Sequence, residues 1–229
     1  MSIRVLFILL IFIIASCSSD KIISTEKNEY VGIFRNVIKN SFLEKNEIFK
    51  PLIPKKTNQW LSKFKQPIIL ISSLDEKKQA TLVALGNNKE KLTWVSSDGI
   101  SLTFDQGVLI ATRGYSQDLL SLKYIKPVSL FGPKKIRYKK VHRYLTSDNK
   151  HNDVDFQCSG KRGQSKPVLF LEYKITVDKF VEDCVSIQHS YKNEYDLLSG
   201  TSVVIKSKQW ISPTNKYFRT YNLYAFQKL

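Results

Sequence analysis

Three cysteines, three histidines and nine glycines among 229 residues leave little of the chemistry that a sequence can advertise. There is no Cys-x-x-Cys pair. His142, His151 and His189 show neither the His-Glu-x-x-His pattern nor any zinc-type spacing. The glycines form no phosphate-cradling loop and no Gly-x-Ser-x-Gly elbow. The sequence thus calls for no metal and no cofactor, and it lacks the marks of the common nucleophilic hydrolases. Carboxylates remain, and a glycosidase needs only two of them at the right separation. Asp98, Glu172, Glu182 and Asp183 are the candidates, although Asp98 already has a reason in its turn. Asp153 and Asp155 would share one face of a strand, which alone makes neither a metal site nor an acid/base pair.

Negative charge is scarce too: 20 acidic residues stand against 36 basic ones, for a net charge of +16. Such an excess suits anionic glycans, lipid phosphates or nucleic acid, and it also follows from a lysine-rich composition without any partner. Long apolar runs are limited to the first residues. Arg4 precedes the apolar Val5–Ile14, which is short for a bilayer span, and Ala15 and Ser16 lead into Cys17. Ile14-Ala15-Ser16-Cys17 resembles the lipobox of bacterial lipoproteins, which implies cleavage after residue 16 and a lipid-modified Cys17 as the mature N-terminus. Acyl chains on Cys17 would then hold the protein at a membrane. Ser18 and Ser19 follow without an adjacent Asp, which by resemblance to known sorting rules points to the outer membrane, facing the periplasm. An exported address removes nucleic acid from the set of partners.

The expected domains are therefore a signal peptide, 1–16, and one β domain, 17–229. Within the latter, Ser24–Glu47 carries Tyr30, Ile33, Phe34, Val37, Ile38 and Phe42 at helical steps, predicting an amphipathic helix. Thr57–Phe64 reads as a short helical turn after Pro51 and Pro54. From Pro67 the pattern becomes β, with strands at Ile68–Ser72 and Ala80–Leu85. Tyr115–Leu122 reads as a helical turn and Lys123–Leu130 as a strand. Lys134–Tyr144 reads as an exposed or edge strand, whose Lys135, Arg137, Lys139, Lys140 and Arg143 offer an anionic-ligand patch or simply guard an edge. Thr146–Val154 reads as a loop, and Phe156–Cys158 and Val168–Val177 as strands around a turn-rich Ser159–Pro167. Cys158 and Cys184, exported with no other thiol but Cys17, read as a disulfide or as two buried thiols. A closing hairpin takes Tyr195–Leu198 into Thr201–Trp210, with a last strand at Tyr217–Phe226. Trp94, Trp210, Tyr217, Tyr221 and Tyr224 read as core and cross-strand packing or as a sugar-stacking surface.

The most regular stretch is Leu92–Gly114. Strands at Leu92–Ser97, Ile100–Phe104 and Val108–Thr112 are joined by turns at Asp98-Gly99 and at Asp105-Gln106-Gly107. Its Trp94-x-Ser96-x-Asp98-Gly99 hairpin, Gly107 turn and Thr112-x-Gly114 ending resemble the central motif of the YjbF/GfcB family, lipoproteins of bacterial exopolysaccharide and group 4 capsule systems. A second block resembles that family's C-terminal motif: Asn193-x-Tyr195, Gly200, then Ser207-x-Gln209-Trp210 before Pro213.

Alternation and turn spacing predict an all-β fold: a large antiparallel meander sheet curved into a sandwich or open barrel, with the N-terminal helix packed on it. The resemblance implies a non-enzymatic lipoprotein assisting assembly or export of a polysaccharide, with an anionic polysaccharide or an export protein as partner. Two other readings stay open. One is an enzyme using paired carboxylates; the other is a lipid or lipoprotein carrier built around an apolar cavity.

Overall fold

The computed structural model describes residues 61, 66–74, 78–88, 91–126, 129–132, 135–170 and 173–227. Every described residue belongs to one compact unit, Leu43–Leu229. Cys17, the signal segment and the Ser24–Glu47 helix lie outside the described residues. Of the Thr57–Phe64 turn only Leu61 is described, in helical conformation.

Twelve strands follow in chain order: β1 (Ile68–Ser73), β2 (Gln79–Asn88), β3 (Lys91–Val95), β4 (Ser101–Asp105), β5 (Val108–Arg113), β6 (Leu119–Tyr124), β7 (Ile136–Leu145), β8 (His151–Phe170), β9 (Tyr173–Val185), β10 (Ser190–Leu198), β11 (Val204–Ser212) and β12 (Lys216–Tyr221). A four-residue helix, α1 (Tyr224–Gln227), comes after them. All strands join one antiparallel sheet in the order β5-β4-β3-β2-β1-β12-β11-β10-β9-β8-β7-β6. The chain thus starts in the middle at β1 and runs out to one edge at β5. It then crosses to the opposite edge at β6 and returns to pair β12 with β1.

That crossing decides the curvature. A flat twelve-stranded sheet is about 50 Å wide, while the five residues Gly114–Asp118 reach at most ~20 Å. The sheet must therefore roll until its edges meet, which makes it nearly a barrel. No backbone ladder joins β5 to β6. Side chains hold the seam instead. The Thr112 hydroxyl donates to Asp118 Oδ1 at 2.7 Å and accepts from the Leu119 amide at 2.9 Å. Asp118, itself buried, also accepts from the Gly114 and Tyr115 amides.

Rolling sorts the side chains by parity. On the wall from β1 to β5 the inward positions are apolar: Ile69, Ile71, Leu82, Trp94, Leu102, Phe104 and Leu109 form one cluster with Phe218 of β12. The opposite wall, β7 to β11, turns polar side chains inward. Outside, the far end of the β8–β9 hairpin packs Phe170 and Val177 against Ile68, Leu70 and Tyr221.

The barrel, with its helix beyond description, matches the all-β expectation in the sheet. Five local expectations are corrected. Leu119–Tyr124 is a strand and not a helical turn; a bulge between Leu119 and Ser121 breaks the alternation that would have marked it. It stops at Tyr124, so the strand expected over Lys123–Leu130 does not form. Leu130 and Phe131 instead plug the core beside Phe180 and Tyr195. The turn-rich Ser159–Pro167 is continuous strand, because β9 pairs along it and a bulge between Arg162 and Ser165 absorbs the extra residues. Beyond Gly160 β8 has no ladder with β7, so Pro167 sits where a missing N–H is tolerated. Finally, the loop ends at Lys150, with β8 starting at His151, and the last strand ends at Tyr221.

Candidate functional site

The polar wall is built by strand register. Cross-strand pairing sets Tyr138 opposite Cys158, Cys158 opposite Cys184, and Cys184 opposite Tyr191; one pair along, Lys140 faces Phe156, and Glu182 faces Asn193. Glu182 is the hub and is fully buried. Lys140 Nζ donates to its Oε1 at 2.9 Å, the Tyr138 hydroxyl donates to the same oxygen, and Asn193 Nδ2 donates to Oε2 at 2.7 Å. Lys140 also lies 5.2 Å from the Tyr191 ring centre. Burial lowers the Lys140 pKa, and the facing carboxylate opposes that shift. Burial first and the Glu182 charge second raise the Tyr138 hydroxyl well above its ordinary value.

His142 extends the network. Its Nδ1 is 2.8 Å from the Tyr144 hydroxyl and its Nε2 is 3.1 Å from that of Tyr191. Trp210 Nε1 donates to the Tyr144 oxygen at 3.4 Å. Burial and the neighbouring Lys140 charge hold His142 well below its ordinary pKa, so the ring is neutral. The Trp210 and Tyr191 rings stack with centres 5.6 Å apart.

Gln209 ties this wall to the apolar one. Its Oε1 accepts from the Leu109 amide at 2.8 Å and its Nε2 donates to the Gly107 carbonyl at 2.9 Å. Those two groups lie two residues apart on the free edge of β5. The Gln209 carboxamide therefore pairs with that edge as one peptide of a neighbouring strand would. Tyr195 donates to the same Oε1 at 3.3 Å, and Ser207 accepts from Nε2 at 2.9 Å. Gly107 is required twice over. Its φ is +85°, and a Cβ there would fall 2.6 Å from Val204.

The residues expected from sequence scatter across this frame. Trp94 is core, edge-on to Tyr224 with ring centres 6.4 Å apart. Asp98 and Gly99 make their turn, where the Ser96 hydroxyl bonds the Asp98 carboxylate. Gly114 opens the seam loop. Gln209 and Trp210 belong to the buried network. Cys158 and Cys184 are joined, with S–S 2.06 Å and Cα atoms 4.2 Å apart. Their sulfurs lie within 4.8 Å of the Glu182 carboxylate; bound to each other, they offer a metal no thiolate.

The basic patch is corrected. β7 is an interior strand between β6 and β8, and Lys140 points into the network, 1% exposed. Arg143 is taken by a two-point bond to Asp153, which raises the Arg143 pKa and lowers that of Asp153. Lys135, Arg137 and Lys139 stay exposed on the outer face. Among the carboxylates, Glu182 is buried at the hub, Asp183 pairs with Lys192 at 3.4 Å, Asp155 is exposed, and Glu172 lies outside the described residues. Of the aromatics, Tyr217 and Tyr221 lie under Lys208 and Lys206, at 4.5 and 5.6 Å. Sequence reading singles out Lys140 in the basic patch and Glu182 among the carboxylates, but nothing in it pairs the two. Strict parity from Tyr138 to Tyr144 would have turned Lys140 and His142 inward.

A pocket of about 110 Å3 opens at the end of the barrel where β1 begins, lined by residues of β1, β3, β4, β11 and β12 and by the Gln106-Gly107 turn.

Residues 45–223 match the family model described as group 4 capsule polysaccharide lipoprotein gfcB, YjbF. The chain belongs to this YjbF family. Its two motif blocks are thus the parts that meet at the Gly107–Gln209 joint. The chain is also similar to the crystal structure of the hypothetical lipoprotein YmcC from Escherichia coli, with a TM-score of 0.65 and 12% identity. That likeness covers 88% of this chain and 96% of YmcC, and at such identity it speaks for the fold. A search of curated proteins returns no match. The YjbF family is one of capsule-associated lipoproteins, consistent with a role around polysaccharide and a place at a membrane.

Proposed function

We propose that this chain is a non-enzymatic accessory lipoprotein in the assembly or export of an extracellular or capsular polysaccharide. A signal peptide, 1–16, is removed, and lipid on Cys17 anchors the domain 17–229 in the outer membrane, facing the periplasm. The barrel serves as a rigid body that docks on an anionic polysaccharide or on a polysaccharide-export protein. The observation that carries this reading is the YjbF match over most of the chain. The carboxylates support the non-enzymatic part. Glu182 spends its oxygens on Lys140, Tyr138 and Asn193, and Asp183 lies on the outside with Lys192. Lys135, Arg137 and Lys139, exposed and side by side on the outer face of β7 and its approach, supply positive charge for an anionic glycan.

The test is binding of the soluble Cys17-less protein to its host's purified exopolysaccharide at low and at high salt. Saturable binding that salt weakens, and that Arg137→Glu with Lys139→Glu abolishes, is the expected result. No binding at either salt sinks direct glycan docking and leaves the export protein as the partner to seek.

A further inference from the structure

The pocket at the β1 end is a built cavity that the polysaccharide reading does not use. Its walls are Ile69, Leu92, Trp94, Phe104 and Val204, with Thr220 and Asn222 as polar neighbours. Those polar groups are already engaged. The Thr220 hydroxyl bonds Ser207 at 2.5 Å, while Asn222 donates to the Val204 carbonyl and accepts from the Ala225 amide. Gln106 also has a partner. A sugar entering here would bury most of its hydroxyls against the apolar Ile69, Leu92, Trp94, Phe104 and Val204, which is costly. An alkyl chain would lose nothing.

Size narrows the ligand further. About 110 Å3 is less than the ~150 Å3 of an apolar cavity that takes a benzene ring, so a single unbranched chain fits and a bulky ring system does not. Position agrees with this. The strand ends and turns that line the mouth all lie at the end where the chain enters the barrel through Pro67 and Ile68, and the lipobox cysteine precedes them in sequence. We infer that this pocket binds the end of a lipid acyl chain, held between the β3–β4 wall and the start of β11.

The inference is independent of glycan docking, and each can fail alone. Calorimetric titration of the Cys17-less protein with octanoate, octanol and methyl glucoside tests it. Octanoate and octanol should bind one-to-one with similar affinity, and the glucoside should not bind. Shortening the acid to hexanoate and butanoate should weaken binding about fourfold for each methylene withdrawn from the wall. Leu92 is only half-buried at the mouth, so Leu92→Trp, which fills the space, and Leu92→Glu, which charges it, should each weaken octanoate at least ~tenfold. On the unaltered protein, a photoreactive octanoate should cross-link to Trp94 or Phe104. Glucoside binding, or cross-links elsewhere, or octanoate affinity unchanged in both Leu92 variants, would overturn the inference. Comparing acylated full-length protein with Cys17→Ser then identifies the source. Octanoate excluded only from the acylated form means that the protein's own anchor occupies the pocket; octanoate bound equally by both means the chain of another lipid.

Discussion

The two walls of the barrel solve one problem with opposite chemistry. From β1 to β5 the interior is filled by Ile69, Leu82, Trp94, Leu102 and Phe104, which need only fit. From β7 to β11 Phe156, Phe180 and Leu197 share it with Lys140, Glu182, His142, Asn193 and four tyrosines, which must each find a partner. The first wall gains from removing apolar surface from water and is indifferent to pH. The second trades strong desolvation costs against hydrogen bonds of definite direction, and it tolerates no missing member. Where β11 approaches the edge of β5 across the interior, Gln209 makes the link in place of a strand ladder. The polar wall thus specifies geometry, while the apolar wall supplies bulk stability.

Breaking the hub should show the contrast at its largest. Glu182→Ala leaves Lys140 buried and unpaired and strands Tyr138 and Asn193, for an expected loss of ~3–5 kcal/mol in urea unfolding. Lys140→Met together with Glu182→Gln removes both charges while keeping a hydrogen-bonding amide, and it should recover most of that loss. In the apolar wall, Leu102→Ala opens a cavity at a fully buried position and should cost ~2–5 kcal/mol, equally at every pH between 5 and 8. No second substitution in that wall should be able to rescue it by charge.

The joint comes next. Gln209→Leu leaves the Leu109 amide and Gly107 carbonyl without partners and should cost ~1–3 kcal/mol. Hydrogen exchange at Leu109 should quicken while that at Leu82, in the middle of the apolar wall, stays slow. The smallest effect is the pH slope from His142. Its pKa in the fold lies well below the 6.5 of the unfolded chain, so the unfolded state binds the extra proton. Stability is therefore complete above pH 6.5 and falls as pH drops below it, by at most ~1.4 kcal/mol per pH unit. His142→Gln keeps two hydrogen-bonding groups and cannot titrate, so melting temperatures measured from pH 7 to pH 5 should lose that part of their decline.

Sequence reading reached one wall better than the other. Leu92–Thr112 was legible because its strands alternate and its turns carry Gly99 and Gly107 at positive φ, both local properties. Leu119–Tyr124 was misread because its bulge places two leucines in succession, and Ser159–Pro167 because glycine, serine and proline mark a turn unless a partner strand overrides them. Lys140 was read as a surface lysine by its residue type. Its burial depends on Glu182, 42 residues away, which no local pattern announces.

The sequence alone determined the β class, the tight turns and the family, because alternation, turn geometry and short motifs are written in neighbouring residues. Tertiary structure alone decided that β5 and β6 are the edges that meet, that Gln209 serves as a missing strand, and that Lys140 and Glu182 meet inside. Each of these depends on strand register summed around twelve strands, and register is a property of pairs far apart in the chain.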